Sequence, residues 1–96
     1  MNNGIFSVIK EGTSLMGDRN LNDSMFLIWL DYSRKMLDLV CRDSFMKYQY
    51  STFAFQVVNS QLTAYEKLSK CVECLIKMAP MMFEHLLKLH QPLTIS

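Results

Sequence analysis

Two thiols and two imidazoles stand at a spacing that suits a metal. Two residues separate Cys71 from Cys74, ten more precede His85, and four lie between His85 and His90. Two thiolates and two neutral imidazoles form a tetrahedral donor set of the kind zinc takes. A structural reading competes with this one. Cys71 and Cys74 fall one turn apart on the packed face of a helix, where a free cysteine behaves as a small hydrophobe. His85 and His90 are then ordinary helix residues. The structural reading is preferred, so neither a metal nor a cofactor is expected.

The metal-like spacing resembles the two-cysteine, two-histidine zinc finger and departs from it. Such fingers place about 12 residues between the pairs. They also hold their cysteines on a β-hairpin, whereas Cys71 and Cys74 lie in a strongly helical stretch without a glycine knuckle. Only helices folding back on each other around Pro80 would bring the four groups together. Other chemistry is weaker still. Nucleophilic catalysis needs a Cys or Ser beside a base and a third orienting group, and no glycine-rich strand-to-helix turn is present to expose one. There is no phosphate-cradling glycine loop. Lys67, Lys70 and Lys77 make too sparse a stripe for a nucleic-acid footprint. The expectation is a protein that is not an enzyme.

The elements that position these residues are read from the breakers. Gly4, Gly12 and Gly17 stand near the start, Pro80 and Pro92 near the end, and Arg19 to Ala79 contains neither residue type. A sandwich or barrel needs a turn every 8–12 residues or so, so this stretch reads as helix. Residues 1–22 are expected to hold a short helix, weakened at Gly12 and ending near Gly17, followed by a polar turn. Asp23 or Ser24 caps the next helix. Phe26, Trp29, Leu30, Met36, Leu37, Val40 and Cys41 then follow a 3.6-residue period.

Asp43-Ser44 is the next cap. Beyond it, Tyr48, Phe55, Leu62 and Ile76 form one heptad seam, and Val58, Tyr65 and Val72 the other. The seam predicts one long helix, or two helices broken near Asn59-Ser60. Tyr48 to Val58 also has strand chemistry, because Phe53, Phe55 and Val57 alternate with Thr52, Ala54 and Gln56. Helix is preferred there, since no turn signal follows that would make a hairpin. Pro80 fits the first turn of a helix better than its interior. The main helices over 23–79 are therefore expected to end near Met78 or Ala79. A C-terminal helix over 80–91 follows, stopped by Pro92, with a tail over 92–96. The fold class is all-α: one domain, a small bundle of four to five helices with one long central helix or helix pair. Its expected core is Trp29, Leu37, Val40, Phe55, Val58, Leu62, Tyr65, Val72 and Ile76.

Composition narrows the class further. The chain has 96 residues, 50% hydrophobic and 20% charged, with a formal net charge of +1. A chain this apolar is expected to fold rather than stay disordered, and its charge gives no hint of nucleic acid or an anionic membrane. The longest apolar run, Met25 to Leu30, falls far short of the roughly 20 residues a bilayer span needs. Met1 to Met16 lacks the apolar core of a secretory signal. Three cysteines leave one unpaired in any disulfide scheme, which favours a reducing, cytoplasmic setting.

One surplus remains. Methionines (Met25, Met36, Met46, Met78, Met81, Met82) and aromatics (Phe45, Tyr48, Tyr50, Phe53, Phe55, Phe83) exceed what short helices readily hide. Thioethers suit adaptable contact surfaces, and an exposed apolar patch marks a partner site. The expected partner-binding residues are Phe53, Phe55, Met81, Met82 and Phe83, with the last helix lying as a flap over a groove. The expected partner is a protein, in a homodimer or hetero-complex. The leading reading is thus a non-enzymatic interaction module: an adaptor, chaperone or small inhibitor. An alternative comes from Asp43 to Met78, DSFMKYQYSTFAFQVVNSQLTAYEKLSKCVECLIKM. Its acidic-Ser start, Gln49 among apolar residues and closing amphipathic run resemble the C-terminal helical segment of type III secretion needle and inner-rod subunits. The resemblance implies a helical structural subunit. A zinc-stabilised module using Cys71, Cys74, His85 and His90 is the third reading.

Overall fold

The computed structural model describes residues 4–90, with side chains for residues 4–82. Among them every regular element is a helix: α1 (Gly4–Met16), α2 (Asp23–Val40), α3 (Ser44–Val58) and α4 (Ala64–His90). The strand alternative for Tyr48 to Val58 is not taken, and the break near Asn59-Ser60 separates α3 from α4. α4 packs against each of the other three helices, and so does α2, whereas α1 and α3 do not touch.

The starts of α2, α3 and α4 are each fixed by a side chain that takes up a free backbone N–H. The Asn22 side chain, not Asp23 or Ser24, caps α2, accepting from the Met25 N–H at 2.9 Å. Asp43 caps α3 by accepting from the Phe45 and Met46 amides at 3.0 and 3.2 Å. α4 begins with a reciprocal capping box. The Thr63 amide donates to the Glu66 carboxylate at 3.0 Å, and the Glu66 amide donates to Thr63 Oγ1 at 3.1 Å. One turn on, Lys67 is buried and ties three helices together. Its ammonium donates to the Val58 carbonyl at 3.3 Å and lies 3.9 Å from the Asp23 carboxylate.

The core follows the true helical faces rather than the heptad seam. α4 buries Leu68, Cys71, Val72, Leu75, Met78, Ala79 and Met82, an unbroken stripe at helical spacing. α2 buries Phe26, Trp29, Leu30, Ser33 and Leu37, and α3 buries Tyr50, Ala54 and Val57. Of the expected core, Trp29, Leu37 and Val72 are buried, Val40, Val58 and Leu62 are half-buried, and Phe55, Tyr65 and Ile76 are exposed. The seam misses on both sides of the irregular residues 59–63: in α3 it follows the face opposite Tyr50, Ala54 and Val57, and in α4 it runs along the edge of the buried stripe.

Gly12 is buried, where sequence alone marked it only as a weak point. A Cβ there would stand 2.6 Å from Val72 Cγ2 and 2.9 Å from the Trp29 ring. Its lack of a side chain lets α1 lie directly on α2 and α4. Trp29 Nε1 donates to the Val8 carbonyl at 2.9 Å across the same contact.

Pro80 corrects a boundary. α4 does not end near Met78 or Ala79 but runs through Pro80 to His90, so no separate helix begins there. The proline removes an N–H that would have bonded the Ile76 carbonyl. Pro80 and Ile76 are both exposed, so that carbonyl is lost on the wet side of the helix, where water replaces the bond. The expected stop at Pro92 and the tail over 92–96 lie outside the described residues.

Candidate protein-docking groove

The sequence's candidate residues do not form one site. Phe53 and Phe55 are two positions apart on α3 and face different ways: Phe53 is half-buried against the core, and Phe55 is exposed. Met81 is exposed, whereas Met82 is buried in the core. The Phe83 side chain lies outside the described residues. With α4 continuous, residues 81–90 extend its axis and do not fold back as a flap.

That continuity also decides the metal geometry. Cys74 and His85 are eleven positions apart on one helix, about 16 Å along the axis at 1.5 Å per residue. Zinc bonds to sulfur and nitrogen are about 2.0–2.3 Å, so the fold-back needed to join Cys71 and Cys74 to His85 and His90 does not occur. The His85 and His90 side chains lie outside the described residues. Cys71 is fully buried, and burial pushes its thiol up to about 12; Cys74, half-buried, is also raised by burial. Buried thiols held protonated pack as small apolar groups and are poor nucleophiles. Cys74 Sγ approaches Met78 Sδ at 3.8 Å.

Three of the large apolar side chains that stay outside, Leu27, Tyr48 and Phe55, border a groove between α2 and α3. Its apolar end has a volume of about 620 Å³. Leu27, Leu30, Asp31 and Arg34 line it from α2, and Tyr48, Thr52, Phe55, Val58 and Asn59 are among the residues lining it from α3. Residues 48, 52, 55 and 59 recur at helical spacing and form the side of α3 that faces away from its buried face. Tyr48 and Phe55 are 68% and 70% exposed, a degree that leaves both rings almost wholly to solvent. Asp31, Arg34 and Ser51 also line the next stretch of the groove, with Lys35, Asp38 and Lys47, so the two stretches run together and grade from apolar to charged.

The charges along this groove are nearly all matched. Asp31 pairs with Lys35 at 3.1 Å, and Asp38 pairs with Lys47 across the helices at 3.2 Å. Arg34 alone among these charges has no ion pair or hydrogen bond to the described residues. Beneath it, Tyr50 is fully buried and shares a 2.8 Å hydrogen bond with Ser33 Oγ. The Ser33 proton goes to the Leu30 carbonyl at 2.7 Å, so the tyrosine hydroxyl is the donor. Burial raises the Tyr50 pKa strongly. The floor of the groove is therefore a fixed, satisfied polar pair, while its rim is apolar and open.

The sequence missed Leu27, Tyr48 and Arg34 as groove residues. The signal was present in the 48, 52, 55, 59 spacing, but it reads as lining only once α2 is laid alongside. Comparison with known proteins finds no matching family, no matching curated protein and no matching solved structure. The segment Asp43–Met78, which resembles secretion needle and inner-rod subunits, comprises α3, residues 59–63 and the first half of α4. No helix among the described residues is long and apolar enough to cross a membrane.

Proposed function

We propose that this chain is a non-enzymatic helical interaction module, a small bundle organised around α4, that holds a protein partner or a second copy in the α2–α3 groove. The observation that carries the reading is the placing of Leu27, Tyr48 and Phe55, large and exposed, around one elongated depression. A rigid-walled groove between two helices is a usual seat for an amphipathic helix. Aromatic anchors such as Phe55 and Tyr48 supply much of the energy of such contacts. The raised thiols fit a binding role better than a catalytic one, and three free cysteines fit a reducing, cytoplasmic setting.

The test is capture from the native cell extract with wild type and two variants. Phe55→Asp places a charge in the groove; Ile28→Asp places one at an equally exposed position outside it. Loss of the captured partner with Phe55→Asp and its retention with Ile28→Asp is the expected result. Retention by both variants contradicts the reading.

A further inference from the structure

The groove is not the only apolar surface left uncovered, and the second has a complementary charge. Along α4, Tyr65, Glu73, Ile76 and Pro80 are all exposed. At 3.6 residues per turn they fall within about 80° of the helix circumference. They form a narrow ridge, apolar at Tyr65 and Ile76 with a carboxylate between, that flanks the buried stripe of α4 about 120° around the helix from its centre. The ridge cannot reach the groove of its own chain, because α4 is held by its buried stripe against the other three helices.

We infer that the α4 ridge of one copy docks in the α2–α3 groove of the next, with Glu73 meeting Arg34. Charge complementarity and length select this occupant. Arg34 is the groove's one charge without a partner among the described residues. Glu73 has only a loose contact, 4.0 Å to Lys77 on its own exposed surface, and is free to exchange it. Tyr65 to Ile76 spans about 16 Å of helix, and so does the Tyr48 to Asn59 wall of the groove. Covering Leu27 and Phe55 with Tyr65 and Ile76 would remove apolar surface on both sides from water. An exposed ion pair contributes little; one ringed by apolar side chains fixes register and excludes like-charged partners. Ridge and groove are different surfaces, so the contact is heterologous and an open assembly keeps one free groove at one end and one free ridge at the other.

This inference rests on the groove being a docking surface and adds the identity of the occupant. It is tested by sedimentation of the full chain over a range of concentrations. Wild type is expected to rise above the 11.2 kDa of a single chain as concentration increases. Arg34→Glu and Glu73→Arg, each with unchanged helix content by circular dichroism, are expected to stay at the single-chain mass. A 1:1 mixture of the two variants restores opposite charges at every contact and is expected to assemble again. A wild type that remains a single chain at its highest soluble concentration overturns the inference, as does a mixture that fails to regain mass. Either outcome leaves the groove to be judged separately by the Phe55→Asp and Ile28→Asp comparison.

Discussion

Tyr50 and Cys71 show how single residues set the conditions under which the groove exists. Both are acids whose neutral form is favoured by burial, so the folded chain holds these protons to higher pH than the unfolded chain does. Their stabilising effect is complete below the ordinary thiol value of about 8.5 and falls as pH rises from there toward 12. Chemical denaturation at a series of alkaline pH values should therefore show stability dropping above about pH 9. Cys71→Ala should flatten that drop even though it lowers stability at neutral pH. Tyr50→Phe removes one donor while Ser33 keeps its bond to Leu30, and should cost about 1 kcal/mol. Gly12→Ala should also destabilise, by about 1–3 kcal/mol, because the Trp29 ring cannot withdraw from the added methyl. That sign is opposite to the helix-propensity gain of Gly to Ala, so a stabilised variant would show that α1 packs less closely than described.

At the scale of elements, the helical class and the capped start at Asp43 are legible in the residues, because breakers and caps act locally. The capping box at Thr63 and Glu66 is equally legible in retrospect. The phase of the core was not, because it depends on where helices stop. Phe55 is exposed because α3 buries the other face, that of Tyr50, Ala54 and Val57, and residues 59–63 separate that face from the buried stripe of α4, which leaves Tyr65 and Ile76 outside. Phe55 stands out in the sequence within the apolar stretch Tyr48 to Val58; its neighbours Leu27 and Arg34 come from α2, a relation that no periodicity within one segment encodes. The Pro80 boundary failed for a local reason. The lost hydrogen bond falls on the solvent side, where its cost is smallest, while Met78, Ala79 and Met82 continue the buried stripe past it. Pro80→Ala should accordingly stabilise the chain by about 1–3 kcal/mol in thermal or chemical denaturation. Destabilisation would mean that the proline shapes the packing of the residues beyond it. A chelator should leave the melting temperature unchanged, since α4 keeps Cys74 and His85 about 16 Å apart; unfolding on chelation would restore the zinc reading.

At the scale of the whole molecule, the balance of burial and exposure is the ground for the proposed association. Three short connections join the four helices of a chain that is half hydrophobic, yet Leu27, Tyr48, Phe55, Tyr65 and Ile76 stay outside while all buried side-chain polar atoms among the described residues have partners. The interior is thus complete, and the uncovered apolar surface is not a defect of packing that a rearranged core would remove. Half of the large exposed apolar side chains, Leu27, Tyr48, Phe55, Tyr65 and Ile76, lie on the groove and the ridge, where the proposed covering would remove them from water. Hydroxyl-radical footprinting of the wild-type chain measures that covering directly, comparing dilute purified protein with the same protein in native cell extract. Tyr48 and Phe55 should be oxidised readily when dilute and become protected in the extract, while Ile28, equally exposed and outside the groove, keeps its rate. Equal oxidation of Tyr48 and Phe55 in both states would contradict the account.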